Sequence, residues 1–199
     1  MDVWTWALVV GVGWWALKRY EERRRMALLG SHLQPYRIEK LMEQLTQGYA
    51  RALGEDDAER RQAIWTVLDG PAQELAQQFE RFTADVARLP AEQVRVCRWA
   101  WPWIDRWWPA STIDLRALFQ VHAQGLQAMV ANGEQRSPKA RAHMLLAEML
   151  LMQHTCHWFC KSRTVASARL LARHKTAHQQ VLEAVSPATR QAYERLLQS

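Results

Sequence analysis

The chain has 199 residues, 49% of them hydrophobic and 23% charged, with 26 Lys or Arg against 20 Asp or Glu and a formal net charge of +6. Seven prolines, eight glycines and this apolar content exclude a disordered or collagen-like chain. Three cysteines exclude a disulfide scaffold and suit a reducing compartment.

From Val3 to Leu17 only Thr5 is neither apolar nor glycine, and Lys18-Arg19-Tyr20-Glu21-Glu22-Arg23-Arg24-Arg25 follows at once. A secretory signal peptide has its bases before the apolar run and a small-residue cleavage site after it. Here the order is reversed and no such site follows. Residues 1–25 therefore read as a single-pass membrane anchor with a basic flank, and residues 26–199 as one helical domain. The positive-inside rule puts the amino terminus outside and the domain in the cytoplasm, at the inner membrane in a bacterium. Trp4 and Trp6 at one end and Trp14 and Trp15 at the other fit the aromatic belts of such a helix. Length is the weak point. Fifteen residues rise about 22 Å, against a hydrocarbon core of about 30 Å, so spanning needs snorkelling by Lys18 and Arg19 and local thinning of the bilayer.

Beyond the anchor the pattern is all-α, a bundle of about seven helices with short connections. Ile38, Leu41, Leu45 and Tyr49 form one helix face, stopped at Gly54. Glu55-Asp56-Asp57 opens a helix carrying Ile64, Trp65 and Leu68, which Gly70-Pro71 is expected to close. Leu75, Phe79, Phe82, Val86 and Leu89 continue as a narrow stripe up to Pro90.

Residues 97–109 hold five of the eleven tryptophans. Trp99, Trp103 and Trp107 would share one helical face, while Trp101 and Trp108 lie on another. Indole needs a partner for its N–H when buried, so the segment suits a junction of helices, a lipid headgroup layer or a protein partner.

Ser111-Thr112-Ile113-Asp114 resembles a capping box ahead of a helix burying Leu115, Leu118, Phe119, His122, Leu126 and Met129, with Gly133 at its end. Ser137-Pro138 is an N-cap and first-turn pair. The helix it opens is apolar on nearly every side from Ala142 to Met152, which puts it at the centre of the core. Thr164 to Val185 reads as one further helix, and Ser186-Pro187 begins a last one ending at Leu197.

Charge is uneven. Residues 26–135 carry eleven bases and fourteen acids, whereas residues 136–175 carry eight bases against Glu148 alone. This basic hairpin, with Arg163, Arg169 and Arg173, points to anionic lipid or an acidic protein surface. Nucleic acid is disfavoured, because no helix-turn-helix, zinc-finger or RNA-recognition signature is present.

Two clusters have metal-ligand chemistry. Cys156, His157 and Cys160 share a helical face, though helical C-x3-C is not the usual zinc spacing. His174 and His178 fall on an expected core stripe with Leu171, Val181 and Val185. A hairpin turning near Lys161–Arg163 would set Glu148 between them, as a zinc or other divalent site, or as a buried polar network without metal. No nucleophile elbow, Walker loop, dinucleotide fingerprint or His-Glu-x-x-His is present, so no catalytic residue is assigned and no cofactor is required. The expected function is a membrane-tethered interaction module that docks a partner or assembles in a larger complex. The alternatives are metal binding at Glu148, His174 and His178, or nucleic-acid binding through residues 136–175.

Overall fold

The computed structural model describes residues 2–98 and 108–198. Among these lie eight α-helices: α1 Val3–Leu33, α2 Ile38–Leu53, α3 Ala58–Ala87, α4 Leu115–Ala131, α5 Pro138–Cys160, α6 Arg163–His174, α7 His178–Ala184 and α8 Pro187–Gln198. Two three-residue strands, β1 Arg95–Cys97 and β2 Thr112–Asp114, pair antiparallel with Val96 opposite Ile113. This ladder had no signal in the sequence, because three residues are too few to show a period of two.

α5 is the axis of the bundle and packs on α1, α2, α4, α6, α7 and β1. Its Ser137 Oγ caps the Ala140 N–H, Pro138 takes the first turn, and Leu145, Met149, Leu151, Met152, Trp158 and Phe159 are buried. The all-α architecture expected from periodicity is present, and the stripes of α2 and α4 are buried as their spacing requires.

Three local expectations are corrected. Gly70-Pro71 does not end a helix: α3 runs through it for 30 residues. Trp65, Leu68, Ala72, Leu75, Phe79, Phe82 and Val86 recur at alternating spacings of three and four, so one continuous stripe is buried across the proline. Burial of that stripe outweighs the one hydrogen bond and the ring strain, a cost of about 3 kcal/mol.

Ser111–Asp114 is not a capping box. Residues 112–114 form β2, and Asp114 is itself the N-cap, accepting from the Arg116 N–H at 2.9 Å. The segment 164–185 is not one helix. Lys175 adopts the left-handed conformation at φ 55°, ends α6, and turns the chain before α7. That break leaves Leu171 54% exposed, so the stripe drawn through Leu171, His174 and His178 is not a face of the protein.

α1 passes unbroken from the apolar arm through the basic flank into the domain. The flank is partly internal. Glu21 and Arg25 are buried, with Arg25 Nε donating to Glu21 Oε1 at 3.0 Å, and its guanidinium reaching the Phe159 carbonyl at 3.4 Å and Cys97 Sγ at 3.3 Å. Residues 3–17, by contrast, are exposed almost throughout, with Trp4 85% accessible. Among the described residues no helix is long and apolar enough to cross a membrane, so the spanning anchor expected from the sequence has no such helix to rest on. The reason is the early arrival of Lys18, fifteen residues after the apolar run begins.

Candidate functional site

The buried polar chemistry collects where α4, α5, α6, α7 and α8 meet. His122 of α4 and His154 of α5 are fully buried, and His178 at the start of α7 is half-buried. Thr155 Oγ donates to the Leu151 carbonyl at 3.1 Å, so it accepts from His122 Nε2–H at 2.8 Å. His122 Nδ1 is then a bare acceptor, with no hydrogen-bond partner among the described residues. His154 Nε2 shares a 3.0 Å hydrogen bond with Ser167 Oγ. Its ring lies against that of His178, centroids 4.2 Å apart, and Tyr193 of α8 packs beside both His178 and His122.

Burial dominates the electrostatics here. It pushes the pKa of His122 down to about 3. His154 falls to about 3 through burial and then the neighbouring His178 and Arg163, and His178 to about 4 through burial and then Arg163. All three imidazoles are neutral at pH 7. Glu148, six residues before His154 on α5, is also buried, and burial raises its pKa. Its Oε1 accepts from the Ser186 N–H at 3.0 Å, at the start of α8. The carboxylate sits over Gly125 of α4, where a Cβ would come within 2.5 Å of Oε2 and 2.6 Å of Thr189 Oγ.

The grouping of Glu148 with His174 and His178 is therefore not what the fold brings together. Glu148 is taken up by Ser186, His178 packs on His154, and His174 closes α6 on the far side of the Lys175 turn. Among the described residues no three His, Cys, Asp or Glu side chains are placed to hold a metal ion. Cys156 and Cys160 are free thiols whose pKa values burial raises, Cys160 to about 11.

The basic hairpin becomes a cleft. α5 contributes Gln153, His154 and His157, and α6 contributes Arg169, Arg173 and His174, around a cavity of about 410 Å³. Arg163 does not join it; its guanidinium stands 5.4 Å over the Trp158 ring. His157 has its pKa lowered by burial and then by the positive charge of Arg169 and Arg173.

Of the tryptophan segment, Trp99, Trp101, Trp103 and Trp107 lie outside the described residues. Trp108 is 66% exposed, and its carbonyl accepts from both the N–H and the Oγ of Ser111. Trp4, Trp6, Trp14 and Trp15 all project from the exposed arm, and Arg19 stands 5.5 Å over the Trp15 ring.

Sequence reasoning missed His154 as the partner of His178, and Gly125 as the floor under Glu148. Neither has a local signal, since each depends on a contact between distant helices. The buried Glu21–Arg25 pair was legible as an i,i+4 spacing, although its burial was not. No family model matches this chain, and neither a curated protein nor a solved structure shows significant similarity to it.

Proposed function

We propose that the protein is a membrane-attached helical docking module, held by the arm at residues 3–17 and presenting the basic α5–α6 hairpin to anionic lipid or to an acidic partner at that surface. The observation that carries this reading is the arm itself. Val3, Trp4, Trp6, Leu8, Val9, Val10, Val12, Trp14, Trp15 and Leu17 are all exposed, on every side of one helix. A helix that is apolar all round belongs in an apolar medium. Burial of a large apolar side chain is worth about 1.5–3 kcal/mol, so transferring ten of them to lipid supplies well over about 10 kcal/mol. The helix satisfies its own backbone, as lipid demands. Lys18, Arg19 and Arg23 then lie at headgroup level.

The test is flotation of the full chain with phosphatidylcholine–phosphatidylglycerol vesicles, beside a variant with Trp4, Val9, Val12 and Trp15 replaced by Gln. The wild type should float and resist release by high salt, and the variant should remain in the soluble fraction with unchanged domain helicity. A wild type that stays monomeric and soluble in the presence of vesicles overturns the attachment.

A further inference from the structure

We infer that the cleft between α5 and α6 is a binding site for a phosphate group, carried by a small phosphorylated molecule or by a phosphorylated lipid headgroup, with Arg169 and Arg173 as its principal donors. The inference deepens the reading of the basic hairpin and is independent of whether the arm enters lipid.

The first support is how the fold disposes of the hairpin's charge. Of its eight bases, Arg136 is paired with Glu134, Arg141 with Asp69, and Lys161 with Glu22 at 3.7 Å. Arg163 is placed on the Trp158 face. Lys139, Lys175, Arg169 and Arg173 have no carboxylate partner among the described residues, and of these Arg169 and Arg173 stand one turn apart on the face of α6 that lines the cleft. No lining residue is acidic. Glu148, the hairpin's one acid, is occupied with Ser186 in the core.

The second support is the donor set. A phosphate offers several oxygens around one centre, and a guanidinium fork meets two of them at once. Arg169, Arg173 and His174 approach from α6, while Gln153 and His157 approach from α5, so donors converge from two walls. His154 Nδ1 and His174 Nε2 are buried and have no hydrogen-bond partner among the described residues. A phosphate oxygen would satisfy a protonated nitrogen at this position, whereas an empty cleft leaves it at a cost. Burial first, and then the positive charge of Arg169 and Arg173, lowers the pKa of His157 on the facing wall.

The third is size. A cavity of about 410 Å³ falls within the range of about 300–1,000 Å³ typical of small-molecule sites. It has room for a phosphate together with the group that carries it. A cation is excluded as the intended occupant by the two guanidinium groups at the rim.

The experiment uses the full chain in a non-ionic detergent at pH 7. Inorganic phosphate is titrated against sodium chloride at matched ionic strength, followed by calorimetry and by Tm. Saturable binding of one phosphate per chain, with a rise in Tm that chloride does not give, is expected. Arg169→Gln with Arg173→Gln should weaken it about a hundredfold, and His174→Gln about tenfold, since charge-assisted bonds to a phosphate are each worth that order. Both arginines are exposed, so the double variant keeps its helicity. Arg169→Lys with Arg173→Lys should bind at an intermediate level, charge being kept and the fork lost. Phosphatidylcholine vesicles with and without phosphatidylinositol phosphate identify the carrier. Competition between these vesicles and inorganic phosphate assigns the lipid headgroup, and phosphate binding without such competition assigns a soluble ester. Equal Tm shifts from chloride and phosphate, full phosphate binding by the double Gln variant, or a stoichiometric zinc shift without a phosphate shift would each overturn the site.

Discussion

The rings of His154 and His178 lie with centroids 4.2 Å apart, on helices α5 and α7, and neither can take up a proton in that position without a buried charge facing its neighbour. Together with His122 they make the stability of the fold dependent on acid. A histidine whose folded pKa lies below its unfolded value of about 6.5 holds its proton less tightly when folded. Its contribution is present above pH 6.5 and is lost as pH falls toward the folded values of about 3 for His122 and His154 and about 4 for His178. At pH 5 each costs up to about 2 kcal/mol relative to pH 7, at about 1.4 kcal/mol per unit. Glu148 acts in the opposite sense, since its raised pKa removes stability as pH rises above its ordinary value of 4.5. Urea unfolding midpoints at pH 7 and pH 5 should therefore fall on acidification. His154→Gln should shallow the dependence and Glu148→Gln should steepen it. A midpoint that is flat between these pH values sinks the assignment.

Gly125 and Glu148 predict a steric coupling between α4 and α5. Gly125→Ala would drive a methyl group into the carboxylate and into Thr189 Oγ, both of which are held in the core. Overpacking of this kind costs about 1–3 kcal/mol, and the desolvated carboxyl puts the effect near the upper end. In Glu148→Ala one of the two obstacles is gone and Thr189 Oγ remains, so Gly125→Ala should cost less on that background than in the wild type. Additive losses in the double variant, read by chemical denaturation, would show that the two residues do not press on one another.

Arg25 predicts a third effect, at the join between arm and domain. It is buried with Glu21 and spans α1, the Phe159 carbonyl at the end of α5, and Cys97 on β1. Arg25→Ala leaves the Glu21 carboxylate buried beside Arg24 alone, and removal of one partner from such a pair costs about 3–5 kcal/mol. Arg25→Met with Glu21→Leu should recover much of the loss by removing both charges. The readout is Tm of the full chain in detergent. A single variant within about 0.5 kcal/mol of wild type would mean that the pair is effectively solvated.

The two halves of the candidate chemistry were unequally visible before the fold was known. Arg169 and Arg173 stood out because eight bases against one acid is a property of composition. That these two of the hairpin's bases line a cleft, while Arg136, Arg141 and Lys161 meet Glu134, Asp69 and Glu22, follows from which acids the fold delivers. His174 and His178 stood out by spacing. The spacing misled because it assumed that α6 continued past Lys175, whose left-handed backbone carries none of the usual glycine or asparagine signal.

Local patterning along the chain sets the helical class, the buried faces of α2, α4 and α5, the caps at Ser137 and Ser186, and the all-round apolar arm. Those features depend on residues within a turn or two of one another, where a 3.6-residue period and a short side chain suffice. The tertiary structure alone decided that α3 runs through Pro71, that Glu148 pairs with Ser186 over Gly125, and that His154 meets His178. A proline in a helix is tolerated, and a buried carboxyl or imidazole is stable, only through what other helices bring to it. Contacts between distant segments leave no period along the chain.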